Sequence, residues 1–95
     1  YGAIADYNKA IEINPNHANA YFNRAIANHK LENYYAAISD YTKIIDINPR
    51  DLEVYELRGI AKWSVRDIKG ACADVKEASF LGYEKAEQWV SEFCE

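Results

Sequence analysis

Hydrophobic positions recur along the chain at helical spacing, in short blocks separated by polar or proline-bearing turns. In residues 3–14, Ile4, Tyr7 and Ile11 share one side with Ala3 and Ala10 on its flank, while Asp6, Lys9 and Glu12 lie outside. Asn14-Pro15-Asn16 ends this helix, because the residue before a proline is pushed out of the helical region; Asn16 is the expected cap of the next. From about Ala18 to Leu31, one stripe holds Ala20, Tyr21, Arg24, Ala25, Asn28 and Leu31, and a second holds Phe22, Ile26 and His29. Two stripes imply two neighbours, or a neighbour and a ligand. A third helix, Tyr34 to Asp46, presents a wide apolar face around Ala37, Ile38, Tyr41, Ile44 and Ile45, with Asn33 as its cap. Asp51 and Asp67 are the expected caps of a fourth helix, Leu52 to Val65, and a fifth, Ile68 to Leu81, with Gly82 as the left-handed residue past the end. Gly70 costs about 1 kcal/mol against Ala in a helix, so close packing is expected there. The sixth segment, Glu84 to Phe93, sets Ala86, Trp89, Val90 and Phe93 against a polar side of Lys85, Glu87, Glu92 and Glu95, as a terminal cap over a stack requires. The reading is all-α, with about six helices.

These blocks repeat. INPN at Ile13–Asn16 returns as INPR at Ile47–Arg50, which places Pro15 and Pro49 thirty-four residues apart. The same offset joins Ala3, Ala37 and Ala71; Asp6, Asp40 and Asp74; Tyr7 and Tyr41; Ile11 and Ile45; Tyr21 and Tyr55; Arg24 and Arg58; Ala25 and Gly59; and Ile26 and Ile60. So many matches in one register define a structural repeat.

Ninety-five residues suit one compact unit, and 49% hydrophobic with 27% charged residues is ordinary for a folded domain. The formal net charge of −4 is interspersed rather than blocked, which argues against a nucleic-acid surface or membrane insertion and favours an apolar or basic protein partner. No membrane span or signal peptide is visible. The chain begins at Tyr1 without an initiator Met, so it is read as a fragment candidate with any targeting signal upstream. Cys72 and Cys94 lack metal or redox spacing and are read as small apolar residues packed between helices rather than as a disulfide. Compartment stays open, with the balance toward cytoplasm.

The thirty-four-residue period and its signposts resemble the tetratricopeptide repeat family. Tyr21, Arg24, Ala25, Ala37, Tyr41 and Pro49 carry the match in one unit, and Tyr55, Arg58, Gly59, Ala71, Val75 and Ala78 in the next. Ala3, Tyr7, Ala10 and Pro15 stand for the second helix of an earlier unit, and Ala86, Trp89 and Phe93 fall where the first helix of a further unit puts its own. The resemblance implies a right-handed α-solenoid of stacked helix-turn-helix repeats. Its parts would be a truncated first repeat (1–17), two complete repeats (18–51 and 52–83) and a C-terminal capping helix (84–95). Small residues would let paired helices approach, Ala25 and Gly59 meeting Ala37 and Ala71. The glycine that usually ends the first helix is Glu32 in one unit and Arg66 in the other, so that turn must use Asn33 or another conformation.

By the same resemblance the first helices line a concave groove, here Asn19, Phe22, Asn23, Ile26, His29 and Lys30, then Glu53, Glu56, Leu57, Ile60, Trp63 and Ser64. Phe22, Ile26, Ile60 and Trp63 would dock a peptide, with Trp63 as the main anchor. Some family members clamp a C-terminal carboxylate. Asn23 matches that clamp's central Asn, but Glu53 and Leu57 stand where its Lys and Arg would be, which argues against such a ligand. His17 and His29 lack a third metal ligand, Cys72 with His29 lacks an orienting acid, and no phosphate-cradling glycine loop occurs, so neither catalysis nor a cofactor is expected. Arg24 and Arg58 are read as structural, paired with Asp40 and Asp74. Ala3, Ile4, Tyr7 and Ile11 at one end, with Trp89 and Phe93 at the other, are candidates for self-association into a homo-oligomer. The expected function is a non-enzymatic scaffold binding a protein segment. The alternative is a regulatory or substrate-recruiting appendage of a larger enzyme or membrane protein.

Overall fold

In the computed structural model, which describes residues 2–94, six helices follow in order: α1 (Gly2–Ile13), α2 (Ala18–Lys30), α3 (Tyr34–Ile47), α4 (Leu52–Ser64), α5 (Ile68–Phe80) and α6 (Glu84–Phe93). Glu95, expected on the polar side of the last helix, lies outside the described residues. Each helix packs chiefly on its neighbours in sequence, α2 on α3, α3 on α4, α4 on α5 and α5 on α6. The result is an elongated stack of 42 × 24 × 17 Å, an all-α helical-repeat solenoid.

Small side chains set how closely the helices meet. Ala25, Ala37, Tyr41, Ile44, Val54 and Ala61 form one buried cluster, and Tyr55, Val75, Ala78 and Ala86 a second. At Gly59 an added Cβ would lie 3.0 Å from Val75 Cγ2 and 3.4 Å from the Ala71 carbonyl oxygen, so glycine permits this approach of α4 to α5. Gly70 also sits in a crowded place, but the crowding is local. Its N–H is donated at 3.0 Å to the Asp67 carboxylate that caps α5, and a Cβ would fall on that same side chain.

A polar ladder repeats along the stack. Arg24 donates through Nε (2.9 Å) and Nη2 (2.6 Å) to Asp40, and through Nη1 (2.8 Å) to Asn8. Arg58 does the same to Asp74 at 2.8 and 2.6 Å and to Thr42 at 3.1 Å. Each arginine therefore reaches sixteen residues forward and sixteen back, tying three helices together. Hydrogen bonding to its aspartate raises each guanidinium above the ordinary arginine value, against the opposing effect of burial. The Tyr21 and Tyr55 hydroxyls donate to the carbonyls of Pro15 and Pro49 at 3.0 and 3.1 Å, and each ring lies under its arginine at 5.5 and 5.7 Å.

The turns depart from expectation in instructive ways. Asn16 does not cap α2; His17 does, its Nδ1 accepting the Ala20 N–H at 3.2 Å, while Asn14 accepts from the Asn16 N–H. Asn33 stands at the cap of α3 but makes no side-chain capping bond. Without a glycine, Glu32 (φ 62°) and Arg66 (φ 66°) themselves enter the left-handed region. Each turn closes with the same pair of bonds, Asn33 N–H to Asn28 O with Glu32 N–H to His29 O, and Asp67 N–H to Lys62 O with Arg66 N–H to Trp63 O. This is the Schellman arrangement.

Gly82 (φ 110°) makes the same turn between α5 and α6, with Tyr83 N–H on Ala78 O and Gly82 N–H on Ser79 O. The chain thus enters α6 through the three-residue turn used inside a helical pair, not the Asn-Pro turn used between pairs. Asp51 caps α4, so the thirty-four-residue frame puts the α6 cap at residue 85; it is Tyr83 instead. A two-residue offset rotates a helix by about 200°. Counted from the caps, Trp89 corresponds to Leu57 rather than to Tyr55, which corrects the register expected for Ala86, Trp89 and Phe93. The cysteines require a second correction, since Cys72 of α5 and Cys94 just past α6 form a disulfide with Cα atoms 5.7 Å apart.

Candidate binding groove

The shifted register builds a trough between α4 and α6. Trp63 meets Trp89 edge-on at 5.0 Å and Phe93 at 5.7 Å, and Trp89 meets Phe93 at 5.1 Å. The two edge contacts of Trp63 each add about 0.5–1.5 kcal/mol beyond area burial. Two clefts open on this cluster. One, of ≈ 240 Å³, is lined by Glu56, Ile60, Val75, Tyr83, Lys85, Ala86 and Trp89. The other, of ≈ 260 Å³, is lined by Ile60, Trp63, Ser64, Trp89 and Phe93. They share Ile60 and Trp89, so the trough is continuous. Ile60 is 43% exposed, Trp63 38% and Phe93 49%, a set of large apolar side chains left to solvent side by side. At one end the trough turns polar, where hydrogen bonding to the Glu56 carboxylate holds the Tyr83 hydroxyl above the usual tyrosine range.

The expected groove residues divide unequally. On α2, Asn19, Asn23 and Lys30 are exposed, while Phe22 and Ile26 are half-buried against the first core cluster. His29 is half-buried and edge-on to Tyr34 at 5.2 Å. On α4, Glu53, Ile60, Trp63 and Ser64 are exposed, Glu56 is half-buried, and Leu57 packs against the core. Of the residues considered for self-association, Ala3 is exposed on α1 and Ile4, Tyr7 and Ile11 are half-buried. Ile4 and Asn8 line a depression together with Arg24 and Asp40. Trp89 and Phe93, at the other end of the chain, pack with Trp63 in the trough.

Tyr83, Lys85 and Val75 were not anticipated in this site. The signal for them was present in the spacing of Gly82 to Tyr83, which copies Glu32 to Asn33 and Arg66 to Asp67 and so marks the early start of α6. Among the described residues no group of His, Cys, Asp or Glu is placed to hold a metal, and no helix is long and apolar enough to cross a membrane.

A stack of helical pairs with a thirty-four-residue period, small residues at the pair contacts and an open trough between first helices defines a class of repeat proteins built around binding surfaces. The chain belongs to the tetratricopeptide repeat family: the description "TPR repeat" matches residues 2–32 and "Tetratricopeptide repeat" residues 18–51. Among solved structures it is similar to the Arabidopsis OM64 TPR domain, at 31% identity and a TM-score of 0.80 over 94% of this chain and 78% of that one. The TPR2B domain of yeast Sti1, in a pHsp70 complex, is 26% identical with a TM-score of 0.76, over 94% of this chain and 71% of that one. The first TPR of Spaghetti (RPAP3), bound to HSP90 peptide SRMEEVD, has the same fold at a TM-score of 0.84 and 22% identity, over 96% of this chain and 74% of that one. No curated protein matches the chain in sequence.

Proposed function

We propose that this domain is a non-enzymatic interaction scaffold whose trough between α4 and α6 binds a segment of another protein. The observation that carries the reading is the exposure of Ile60, Trp63 and Phe93 side by side along two connected clefts. Large apolar side chains grouped on a surface mark interaction sites more often than chance exposure does, and tryptophan is the residue most enriched among binding hot spots. The similarity to the TPR2B domain of Sti1, whose structure is a complex, supports the same use of the fold. The groove on the α2 side contributes less apolar surface, because Phe22 and Ile26 are committed to the core.

The test uses short peptides selected by display on the intact chain. Both of its tryptophans, Trp63 and Trp89, line the trough, so peptide binding there shifts the intrinsic fluorescence. Ile60→Glu weakens binding by at least about tenfold, a conservative figure for the centre of an interface, and leaves helicity unchanged because the side chain is partly exposed. Tyr35→Glu on α3, outside both clefts, leaves affinity unchanged. Equal loss in both variants, or no loss in either, contradicts the groove.

A further inference from the structure

The trough carries a charge pattern that narrows its partner. Resting on the groove reading above, we propose that its occupant is a peptide segment with two bulky apolar side chains about one helical turn apart and a lysine or arginine beside them. Size comes first. The trough divides into two connected clefts of ≈ 240 and ≈ 260 Å³ that share Ile60 and Trp89. A cleft of that size takes a side chain.

Spacing comes second. Glu56, Ile60 and Ser64 succeed one another at four-residue intervals along α4; Glu56 lines the first cleft, Ser64 the second and Ile60 both. The residues that distinguish and join the two clefts therefore follow at about 6 Å along the helix axis, close to one turn. Residues one turn apart on a partner helix match that distance, and alternate residues of an extended strand, about 6.6–6.8 Å apart, come close to it.

Charge comes third. Glu56 lines the first cleft half-buried, and Glu53 lies one turn earlier on the same helix. Among the described residues the ion pairs are Arg24–Asp40, Arg58–Asp74 and Lys62–Asp74, and none engages Glu53 or Glu56. The cation lining the first cleft, Lys85, is exposed and belongs to the opposite wall. A basic side chain beside the first anchor would pair with Glu53 and Glu56, which none of these cations engages, whereas an acidic one would face two like charges. Charge of this kind governs choice of partner more than raw affinity.

The experiment selects from a random library of displayed short peptides on the intact wild-type chain and on Glu56→Lys. Affinities of synthesised winners are read from tryptophan fluorescence. Winners on the wild type carry two bulky apolar residues and a neighbouring Lys or Arg; Glu56→Lys weakens them by about tenfold and regains affinity when the basic residue is exchanged for Glu. Winners that are acidic or indifferent to charge, or affinities unmoved by Glu56→Lys, overturn this inference while Ile60→Glu still weakens binding and keeps the groove. Binding that survives Ile60→Glu overturns the groove as well. Failure to enrich any peptide overturns both, as does sedimentation showing the trough closed by a second copy of the chain.

Discussion

Tyr41 is wholly buried in the first core cluster, and its hydroxyl has no hydrogen-bond partner among the described residues. Burial first, and the Asp40 carboxylate second, push its hydroxyl up from 10.0 to about 12. An unfolded tyrosine ionises near 10, so stability is complete below that pH and falls as pH rises from 10 through about 12. The loss amounts to roughly 2–3 kcal/mol at the upper end, from about 1.4 kcal/mol per pH unit. Tyr41→Phe is expected to be neutral or stabilising by up to about 1 kcal/mol at pH 7, since it removes an unsatisfied buried group. It should also flatten the alkaline decline, and thermal melts from pH 7 to 12 measure both effects.

Glu32 and Arg66 illustrate a different residue-scale cost. A left-handed conformation costs an L-residue about 1–2 kcal/mol, and glycine returns part of that as unfolded-chain entropy. Glu32→Gly and Arg66→Gly should each stabilise by about 0.5–1 kcal/mol in urea denaturation, with no change in helix content. The turns form without glycine because their closing hydrogen bonds and the packing of the paired helices outweigh the strain.

At the scale of the elements, the arginine ladder decides how one helical pair registers on the next. Asp74 is buried and receives Arg58 through two bonds and Lys62 at 3.1 Å. Asp74→Ala leaves both cations short of a partner and should cost about 3 kcal/mol, within the range for breaking a buried pair. Thr42→Val, which removes the neutral end of the same chain of bonds, should cost about 1 kcal/mol. Chemical denaturation of the two single variants and the double variant separates the pair from its neighbour.

For the molecule as a whole, a stack in which each helix contacts its neighbours holds its ends least firmly. α6 terminates the described stack, and the Cys72–Cys94 disulfide fastens its far end to α5. A crosslink across twenty-two residues stabilises by about 3 kcal/mol through the unfolded state. Reduction with a dithiol should lower the melting temperature and expose the α6 amides to hydrogen exchange while α2 to α5 keep their protection. Uniform loss of protection would mean that α6 is integral to the folding unit.

Much of this architecture was legible in the chain. The positions of all six helices follow from periodicity, prolines and caps, which act within one or two turns and need no distant partner. Repetition made the Arg24–Asp40 and Arg58–Asp74 pairs and the small residues at Ala25, Ala37, Gly59 and Ala71 readable, because equivalent residues in a repeat meet equivalent neighbours. Tertiary structure decided the rest. Whether Trp89 takes the position of Tyr55 or that of Leu57 in its helix depends on a two-residue difference in turn type, which a constant thirty-four-residue frame conceals. The cysteine pairing depends on how far apart α5 and the end of α6 come to rest, a distance no local pattern encodes. The trough exists only once that register brings Trp63, Trp89 and Phe93 together.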